Sequence, residues 1–386
     1  MELYPIFFAT LRAAITGEPQ ALLQQLTLDE QAGQALYRLA NKHDLAHLTA
    51  QGLELHGIAL PEETAAAFRK QKMMAVFRAE QLNCELEALS EALEDAKIPF
   101  IPLKGAVLRE LYPEHWMRTS CDIDVLIHER DLARATLCLT ERLSYQQGST
   151  HAYDVPLVSP TGVHIELHFR LASEHTDTPY AALLDRAFTY AAPVAGATYR
   201  HAFCDDFFYF YHIAHIAKHV VNGGCGVRPL LDLLVLRGQA DRDPVAREAL
   251  LREGGLSRFA ALAEQLADMW FCGGEETPIL EQLAHYVLSG GVYGSTKNRV
   301  AVQQSKRGGR IRYLLSRVFL PYHELKVIYP VLRRHKWLFP FMQLRRWWMR
   351  LFGRGRGFSR TVLRRSGELS REQMQETSAL LAQIGL

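Results

Sequence analysis

The fold is decided by the stretch Asp122-Ile-Asp124-Val-Leu-Ile127. Its β-branched and apolar residues favour a strand, and side chains two positions apart on a strand point to the same face. The two aspartates therefore share a face. Residues 162–169 alternate in the same manner, with apolar side chains on one face and polar ones on the other, the polar ones being His164, Glu166 and His168. A second strand is predicted there.

Three carboxylates meet if these two strands are neighbours. Glu166 then joins Asp122 and Asp124, and three negative charges on one face repel one another unless they hold cations. Such oxygen ligands suit Mg²⁺ or Mn²⁺, and these clusters commonly hold a nucleotide's phosphates through one or two metal ions. A lone Asp-x-Asp is more often a solvated surface. His164 and His168 either contact metal or substrate, or simply complete a polar face.

A turn precedes the aspartates. The prolines in Ile98-Pro99-Phe-Ile-Pro102 exclude a helix and predict a short strand. Gly105, after Lys104, lets the backbone approach a ligand, and the helix predicted from Ala106 would offer its N-terminal amides to an anion. An ordinary strand-to-helix turn explains this segment equally well when it is considered alone.

Arg118 lies four residues before Asp122. Its guanidinium can bind a triphosphate through two hydrogen bonds, or it can pair with Asp122 or Asp124 and neutralise the cluster. Its position leaves both alternatives open.

Three short motifs resemble one protein family. They read Leu103-Lys104-Gly105, Arg118-Thr-Ser-Cys-Asp122-Ile-Asp124 and Glu166-Leu167-His168. Their order is similar to that of a poorly characterised bacterial nucleotidyltransferase family in the superfamily related to DNA polymerase β. The resemblance implies an α+β fold, in which a polymerase β-like core of mixed sheet and helices is flanked by N-terminal and C-terminal helical regions. We expect it to cover about residues 30 to 350.

The resemblance also implies an activity. A nucleoside monophosphate would move from an NTP to an acceptor hydroxyl, and pyrophosphate would leave. Mg²⁺ or Mn²⁺ would be held by the implied catalytic residues Asp122, Asp124 and Glu166. The acceptor stays open among a small molecule, a peptide or a protein, with RNA less favoured, and the identity of the NTP is open too.

Phosphate contact is the implied role of the first two motifs. The superfamily usually has Gly-Gly or Gly-Ser at the turn, whereas Gly105 is followed here by Ala106, which offers no hydroxyl. The resemblance therefore implies that Lys104, Gly105 and Arg118 orient the phosphates.

A helical motif lies further along the chain. It reads His215-Ile-Ala-Lys218-His219, followed by Arg228-Pro-Leu-Leu-Asp232. The resemblance implies that Lys218, His219, Arg228 and Asp232 line the active site. From the residues alone, Arg228 and Asp232 can instead form an ion pair four positions apart on an exposed helix. His212, His215 and His219 share one helical face, but no fourth ligand at matching spacing supports a structural zinc site.

Two other interpretations compete with the transferase. One is a catalytically silent nucleotide-binding or scaffold protein of the same fold, in which the missing turn hydroxyl marks lost chemistry. The other is a haloacid-dehalogenase-like phosphatase, which also uses Asp-x-Asp. That fold needs an apolar strand leading into the first aspartate, whereas Thr119-Ser120-Cys121 precede it here.

Composition is that of an ordinary soluble protein. The chain has 386 residues, of which 48% are hydrophobic and 22% charged, and its net charge is +2. Its six cysteines form no Cys-x-x-Cys pair, and no apolar run approaches about 18 residues. The N-terminus lacks a signal-peptide pattern. These features predict a cytoplasmic protein with free thiols and no transmembrane segment.

Four regions are predicted along the chain. They are a helical N-terminal region at 1–97, a nucleotidyltransferase catalytic core at 98–195, a helical domain at 196–304, and a basic, aromatic-rich helical region at 305–386.

The last region is strongly basic. No acidic residue lies between Glu324 and Glu368, and the basic residues there include Arg333, Arg334, Lys336, Arg345, Arg346, Arg350, Arg354, Arg356, Arg360, Arg364 and Arg365. Aromatic residues are interleaved with them. Such a pattern can bind RNA, a membrane surface or another anionic partner. The alternative is that the aromatic side chains face a core while the arginines are solvated.

Overall fold

The computed structural model describes residues 3–151, 153–172, 178–238, 243–292, 294–306, 310–352 and 371–386. The chain forms two compact units. The first comprises Met1–Ile216 with Val227–Leu280, and the second comprises Ala217–Gly226 with Glu281–Leu386. Five of the basic residues named above, Arg354, Arg356, Arg360, Arg364 and Arg365, lie outside the described residues.

Helices precede the sheet, as the apolar spacing of the N-terminal region predicts. They are α1 (Leu3–Thr16), α2 (Glu30–Lys42), α3 (Ala46–Leu55) and α4 (Glu62–Asp95). Pro61 stands at the N-cap of α4, and Glu62 and Glu63 occupy its first turn, where acidic side chains are favoured by the helix dipole.

Five strands form a mixed sheet in the order β1-β2-β5-β4-β3. Only β2 and β5 are parallel among these pairs. The strands are β1 (Phe100–Pro102), β2 (Asp122–Ile127), β3 (Gln146–Gln147), β4 (Asp154–Val158) and β5 (His164–His168). A small second sheet pairs β6 (Ala191–Pro193) with β7 (His201–Phe203). The predicted α+β fold with a mixed sheet is confirmed.

The alternation of β2 and β5 decides which face of the sheet is buried. Ile123 and Val125 of β2 and Ile165 and Leu167 of β5 are almost fully buried in one apolar core. This core also takes apolar side chains from α4 and from α6 (Leu132–Arg142). The opposite face is left to the polar members of both strands.

The helix predicted from Ala106 is shorter than its sequence suggests. It is the four-residue α5 (Gly105–Leu108), followed by a 3₁₀ turn at Arg109–Leu111. So short a helix has little dipole of its own, because the dipole grows with the number of aligned peptide units.

The rest of the first unit is helical. Its helices are α7 (Pro179–Leu184), α8 (Asp205–Val221), whose last residues belong to the second unit, α9 (Arg228–Arg237), α10 (Pro244–Glu253) and α11 (Ser257–Phe271).

The second unit is helical where it is described. Its helices are most of α12 (Pro278–Gly290), α13 (Thr296–Lys306), α14 (Arg310–Val318), α15 (Tyr322–Ile328), α16 (Phe339–Phe352) and α17 (Arg371–Gln383). Within the described ranges, no helix is both long and apolar enough to cross a membrane.

Candidate functional site

The polar face of β2 and β5 brings two carboxylates and a histidine together. The parallel register places Asp124 opposite Glu166. Donor atoms of Asp124, Glu166 and His168 all lie within 4.8 Å of one another. Asp122 begins the same face of β2, opposite His164. The predicted adjacency of the two strands is therefore present, and the cluster gains His168.

Both oxygens of Asp124 accept bonds from the protein itself. His168 Nε2 lies 2.7 Å from Asp124 Oδ1 and 3.2 Å from Glu166 Oε2. Lys104 Nζ lies 3.1 Å from Asp124 Oδ2. Two nitrogen groups thus balance the negative charge of the buried carboxylate.

Lys104 reaches Asp124 from a strained turn. Its φ is 40° and its ψ is −109°, and Ala106 N donates to Leu103 O at 3.1 Å. This is close to the first central position of a type II′ turn, which glycine normally occupies. Leu103 N in turn donates to Asp124 O at 2.9 Å, so the turn is tied to β2.

The charges shift the pKa values in opposite directions along β2. Burial raises the pKa of Asp124, but Lys104 and His168 outweigh it and hold that pKa well below its usual range. Burial, with repulsion by Asp124, raises the pKa of Asp122. Burial lowers the pKa of His168, yet its bonds to Asp124 and Glu166 raise it overall.

Gly105 is needed for a close approach within the protein. A Cβ there would lie 3.0 Å from Ser120 Cβ. Ser120 also accepts a hydrogen bond at 3.1 Å from Arg109, which is almost fully buried and donates to Asn83 at 2.7 Å. The absence of a side chain at Gly105 therefore lets the turn pack against the segment that leads into β2.

Arg118 has a different partner from those considered above. It makes two hydrogen bonds with Asp232, Nε to Oδ1 at 2.6 Å and Nη2 to Oδ2 at 2.9 Å. Tyr112 also donates to Asp232, at 2.7 Å. Arg118 thus pairs with Asp232 and not with Asp122 or Asp124, the partners in one of the two alternatives left open by the sequence. The actual partner is 114 residues away, beyond the reach of local spacing.

The alternative of an ion pair between Arg228 and Asp232 on an exposed helix is not what the structure shows for these two residues. Asp232 is fully buried against Arg118, whereas Arg228 Nη1 donates to Asp44 at 2.8 Å and to the carbonyl oxygen of Thr119 at 2.9 Å. Thr119 also donates to Asp44, at 2.9 Å. The motif in α9 thus contacts the segment just before β2 at both of its ends, through Arg228 and through Asp232.

Lys218 and His219 lie in the last turn of α8, in the part of that helix that belongs to the second unit. The other predicted site residues belong to the first unit.

A family model described as an uncharacterised nucleotidyltransferase matches residues 29–272. The chain belongs to this nucleotidyltransferase family. The match begins where the sequence resemblance was expected to begin, but it ends well before residue 350. No curated protein and no solved structure matches the chain.

The nucleotidyltransferase match contains all the residues of the polar face and of the Arg118 and Arg228 contacts. The sequence left His168 open between contact with metal or substrate and a place on the polar face, and the structure places it in the cluster. Its position in the alternation of residues 162–169 was the available signal, since it places His168 on the face of Glu166. No comparable pattern in the sequence pointed to Tyr112, Asp44 or Asn83.

The donor set fits a divalent cation. Two carboxylates and one imidazole converge, and carboxylate oxygens suit Mg²⁺ or Mn²⁺, while an imidazole nitrogen is a common ligand of transition metals. Burial raises the pKa of Asp122, and the nearby carboxylates of Asp124 and Glu166 raise it further. A further positive charge would therefore be stabilised there.

Proposed function

We propose that this protein transfers a nucleoside monophosphate from an NTP to an acceptor hydroxyl. The bond between the acceptor oxygen and the α-phosphorus forms while the bond to pyrophosphate breaks. Asp122, Asp124 and Glu166 would hold Mg²⁺ or Mn²⁺, with His168 beside them. A divalent ion bound there neutralises the triphosphate and lowers the pKa of the acceptor hydroxyl.

The chain's own groups have separate tasks in this proposal. Lys104 gives its ammonium group to the phosphates, and Gly105 keeps the Lys104 turn close to β2. Glu166 accepts the hydroxyl proton, because its side chain is 39% exposed while that of Asp124 is 7% exposed. Transfer thus needs no covalent bond to the protein.

Arg118, Arg228 and Asp232 act as positioning residues. Arg118 and Asp232 are buried and bonded to each other, so neither is available to a phosphate without breaking that pair. They fix the segment that carries Asp122. Lys218 and His219 take no part in the proposal.

One observation carries the proposal more than any other. Asp124 and Glu166 face each other on neighbouring parallel strands, next to a lysine held in a strained turn. Strained backbone is retained mainly where the surroundings require it, and it clusters at functional sites.

The first test is calorimetric titration of a non-hydrolysable NTP analogue with Mg²⁺ into the wild-type protein and into Asp122→Asn/Asp124→Asn. We expect metal-dependent binding that the variant loses. Turnover, followed with an α-labelled NTP, should fall by more than the 10- to 100-fold that loss of an outer-shell partner typically costs.

Asp95→Asn is the matched control, because Asp95 is an exposed carboxylate that pairs with Arg142 on the surface. It should bind the analogue as the wild type does. The proposal is wrong if the folded wild-type protein binds no NTP with Mg²⁺ or Mn²⁺, or if the double variant keeps its metal-dependent turnover.

A second candidate is a silent nucleotide-binding protein of the same fold. Both oxygens of Asp124 are bonded by Lys104 and His168, so the face is partly neutralised without any metal. NTP binding that does not change with Mg²⁺ or with Asp122→Asn/Asp124→Asn would favour this candidate.

A further inference from the structure

Helix α16 presents apolar side chains to solvent. Phe341, Leu344 and Trp348 are each more than half exposed, and their spacing of three and four residues places them on one face of the helix. Met349 beside them is 53% exposed. Trp337, just before the helix, is 68% exposed, and its ring meets that of Phe341 edge-on at 6.3 Å. We call these five residues the α16 patch.

The other face of α16 is more polar than a core usually allows. Gln343 and Arg346 are buried. Gln343 donates to the carbonyl oxygen of Leu320, and Arg346 donates to that of Val318 at 3.0 Å. These bonds satisfy carbonyl groups near the end of α14 and fix the rotation of the helix. The orientation that exposes the α16 patch is therefore supported by these bonds, together with the packing of Phe339 and Met342 against the apolar cluster of Leu320, Leu325 and Leu332.

The alternative in which the aromatic residues face a core and the arginines are solvated holds only in part. Phe339 packs against an apolar cluster, and Arg333, Arg334 and Arg345 are exposed. Trp337, Phe341 and Trp348 point outward, while Arg346 points inward. Five exposed apolar side chains that are close in sequence form a surface of the kind that marks an interaction site.

Basic side chains border the α16 patch. Arg333, Arg334 and Lys336 are exposed immediately before Trp337, and Arg345 is exposed next to Leu344. The sequence from residue 325 to 367 contains no aspartate or glutamate. The surface therefore combines apolar and aromatic groups with positive charge.

We propose that the α16 patch binds the surface of an anionic lipid bilayer. Aromatic and aliphatic side chains enter the boundary between headgroups and acyl chains, while arginine and lysine stay at the level of the anionic headgroups. This binding mode lies along the membrane surface. It agrees with the finding that no described helix is long and apolar enough to cross a bilayer.

Two other occupants fit the patch less well. Single-stranded RNA is held by aromatic stacking and basic groups, but exposed Leu344 and Met349 gain little from bases and more from leaving water. A second copy of the chain would meet the same patch in a symmetric dimer, which brings the basic residues of both copies together.

The experiment is co-sedimentation of the full chain with phosphatidylcholine vesicles, prepared with and without phosphatidylglycerol. We expect clear binding only when phosphatidylglycerol is present. Each basic residue near an anionic surface strengthens binding roughly fivefold, so Arg333→Gln/Arg334→Gln/Lys336→Gln should weaken it about a hundredfold. Phe341→Ser/Trp348→Ser should weaken it at least about tenfold, because two apolar side chains no longer enter the bilayer.

Met73→Ser/Phe77→Ser is the matched control. Both residues are exposed apolar side chains of α4, in the first unit, so removing them should leave vesicle binding unchanged. In Trp337→Phe/Trp348→Phe we expect binding to remain while the blue shift of tryptophan fluorescence on vesicle addition shrinks.

Several outcomes would overturn the proposal. They are equal binding of the wild type to both kinds of vesicle, no binding to either kind, and an equal loss of binding in the α4 control. Binding to single-stranded RNA that the same variants abolish, without vesicle binding, would assign the patch to nucleic acid. A dimer in light scattering that Phe341→Ser/Trp348→Ser dissociates would assign it to self-association. The comparison of the two vesicle types uses only the wild-type protein. This comparison therefore tests the proposal even if a variant misfolds.

Discussion

Lys104 occupies a backbone conformation that favours glycine, with φ at 40° and ψ at −109°. A residue with a Cβ held in such a region costs of order 1–3 kcal/mol. The neighbouring Gly105 does not relieve this strain, because the unusual φ and ψ angles are those of Lys104, one position earlier. The ammonium group beside Asp124 is the feature that only a lysine supplies at this place.

We therefore predict a difference between two substitutions that both remove the charge. Lys104→Gly relaxes the turn, whereas Lys104→Met keeps the strain. Lys104→Gly should be more stable than Lys104→Met by about 1 kcal/mol or more, measured by urea denaturation. Both should lose affinity for the NTP analogue.

Lys70 provides the control, since it is exposed within the regular helix α4. There the order reverses, and Lys70→Gly should be less stable than Lys70→Met by about 1 kcal/mol. Equal stabilities of the two Lys104 variants would contradict the strain argument.

At the scale of elements, the segment before β2 is held by a buried ion pair. Arg118 and Asp232 make two hydrogen bonds. Burial lowers the pKa of Arg118, but Asp232, together with Tyr112 and Asp44, raises it overall. Asp232→Asn leaves the guanidinium buried without a counter-charge. We predict that it lowers the free energy of unfolding by about 3–5 kcal/mol.

The matched comparison is Glu253→Gln, which breaks the pair with Arg186. Both side chains of that pair are more than half exposed, so the loss should stay below about 1 kcal/mol. Arg118→Met/Asp232→Leu should cost less than Asp232→Asn alone, because it leaves no unpaired charge. Chemical denaturation measures all four proteins, and similar losses in Asp232→Asn and Glu253→Gln would contradict the prediction.

The sequence predicts the contacts between these elements only where the pattern that indicates them is confined to a few neighbouring residues. Alternation over a few residues predicts that Asp124 and Glu166 share a face, and the structure pairs them directly. The contact between Arg228 and Asp44 spans 184 positions, and neither residue lies in a pattern that points to the other. The rotation of α16 depends in part on which carbonyl groups Gln343 and Arg346 reach, and periodicity does not encode those contacts.

At the scale of the whole molecule, charge is distributed unevenly. The net charge of +2 hides the basic stretch at 325–367, which lies beyond the end of the family match at residue 272. A net charge close to zero gives no indication of a nucleic-acid partner, whereas the uneven local distribution indicates an anionic partner. The family match bears on the polar face of the sheet and not on the α16 patch.

Stability of the whole chain should depend on pH through buried histidines, among them His43 and His47. Burial lowers the pKa of His43 and of His47 to about 4. His47 contacts Met117 O at 3.0 Å, whereas neither ring nitrogen of His43 finds a hydrogen-bond partner in the described part of the chain. Both rings are therefore neutral in the folded protein at neutral pH.

The sign of the effect follows from these pKa values. Between pH 6.5 and pH 4 the unfolded chain binds more protons than the folded protein, so stability is present above this window and is lost as the pH falls through it. Each histidine contributes up to about 3 kcal/mol. His43→Leu should therefore make the unfolding free energy depend less steeply on pH between 4 and 6.5.

Denaturation at several pH values between 4 and 7 measures this slope. His285→Leu removes an exposed histidine and should leave the slope as in the wild type. If His43→Leu and His285→Leu gave the same slope, proton binding to His43 would not limit acid stability. The loss of stability at acid pH would then come from His47 and from the carboxylates whose pKa values are depressed, Asp124 and Asp232. Those carboxylates lose their contribution only at lower pH, since their unfolded pKa values lie near 4. The pH at which stability begins to fall therefore distinguishes histidine protonation from carboxylate protonation.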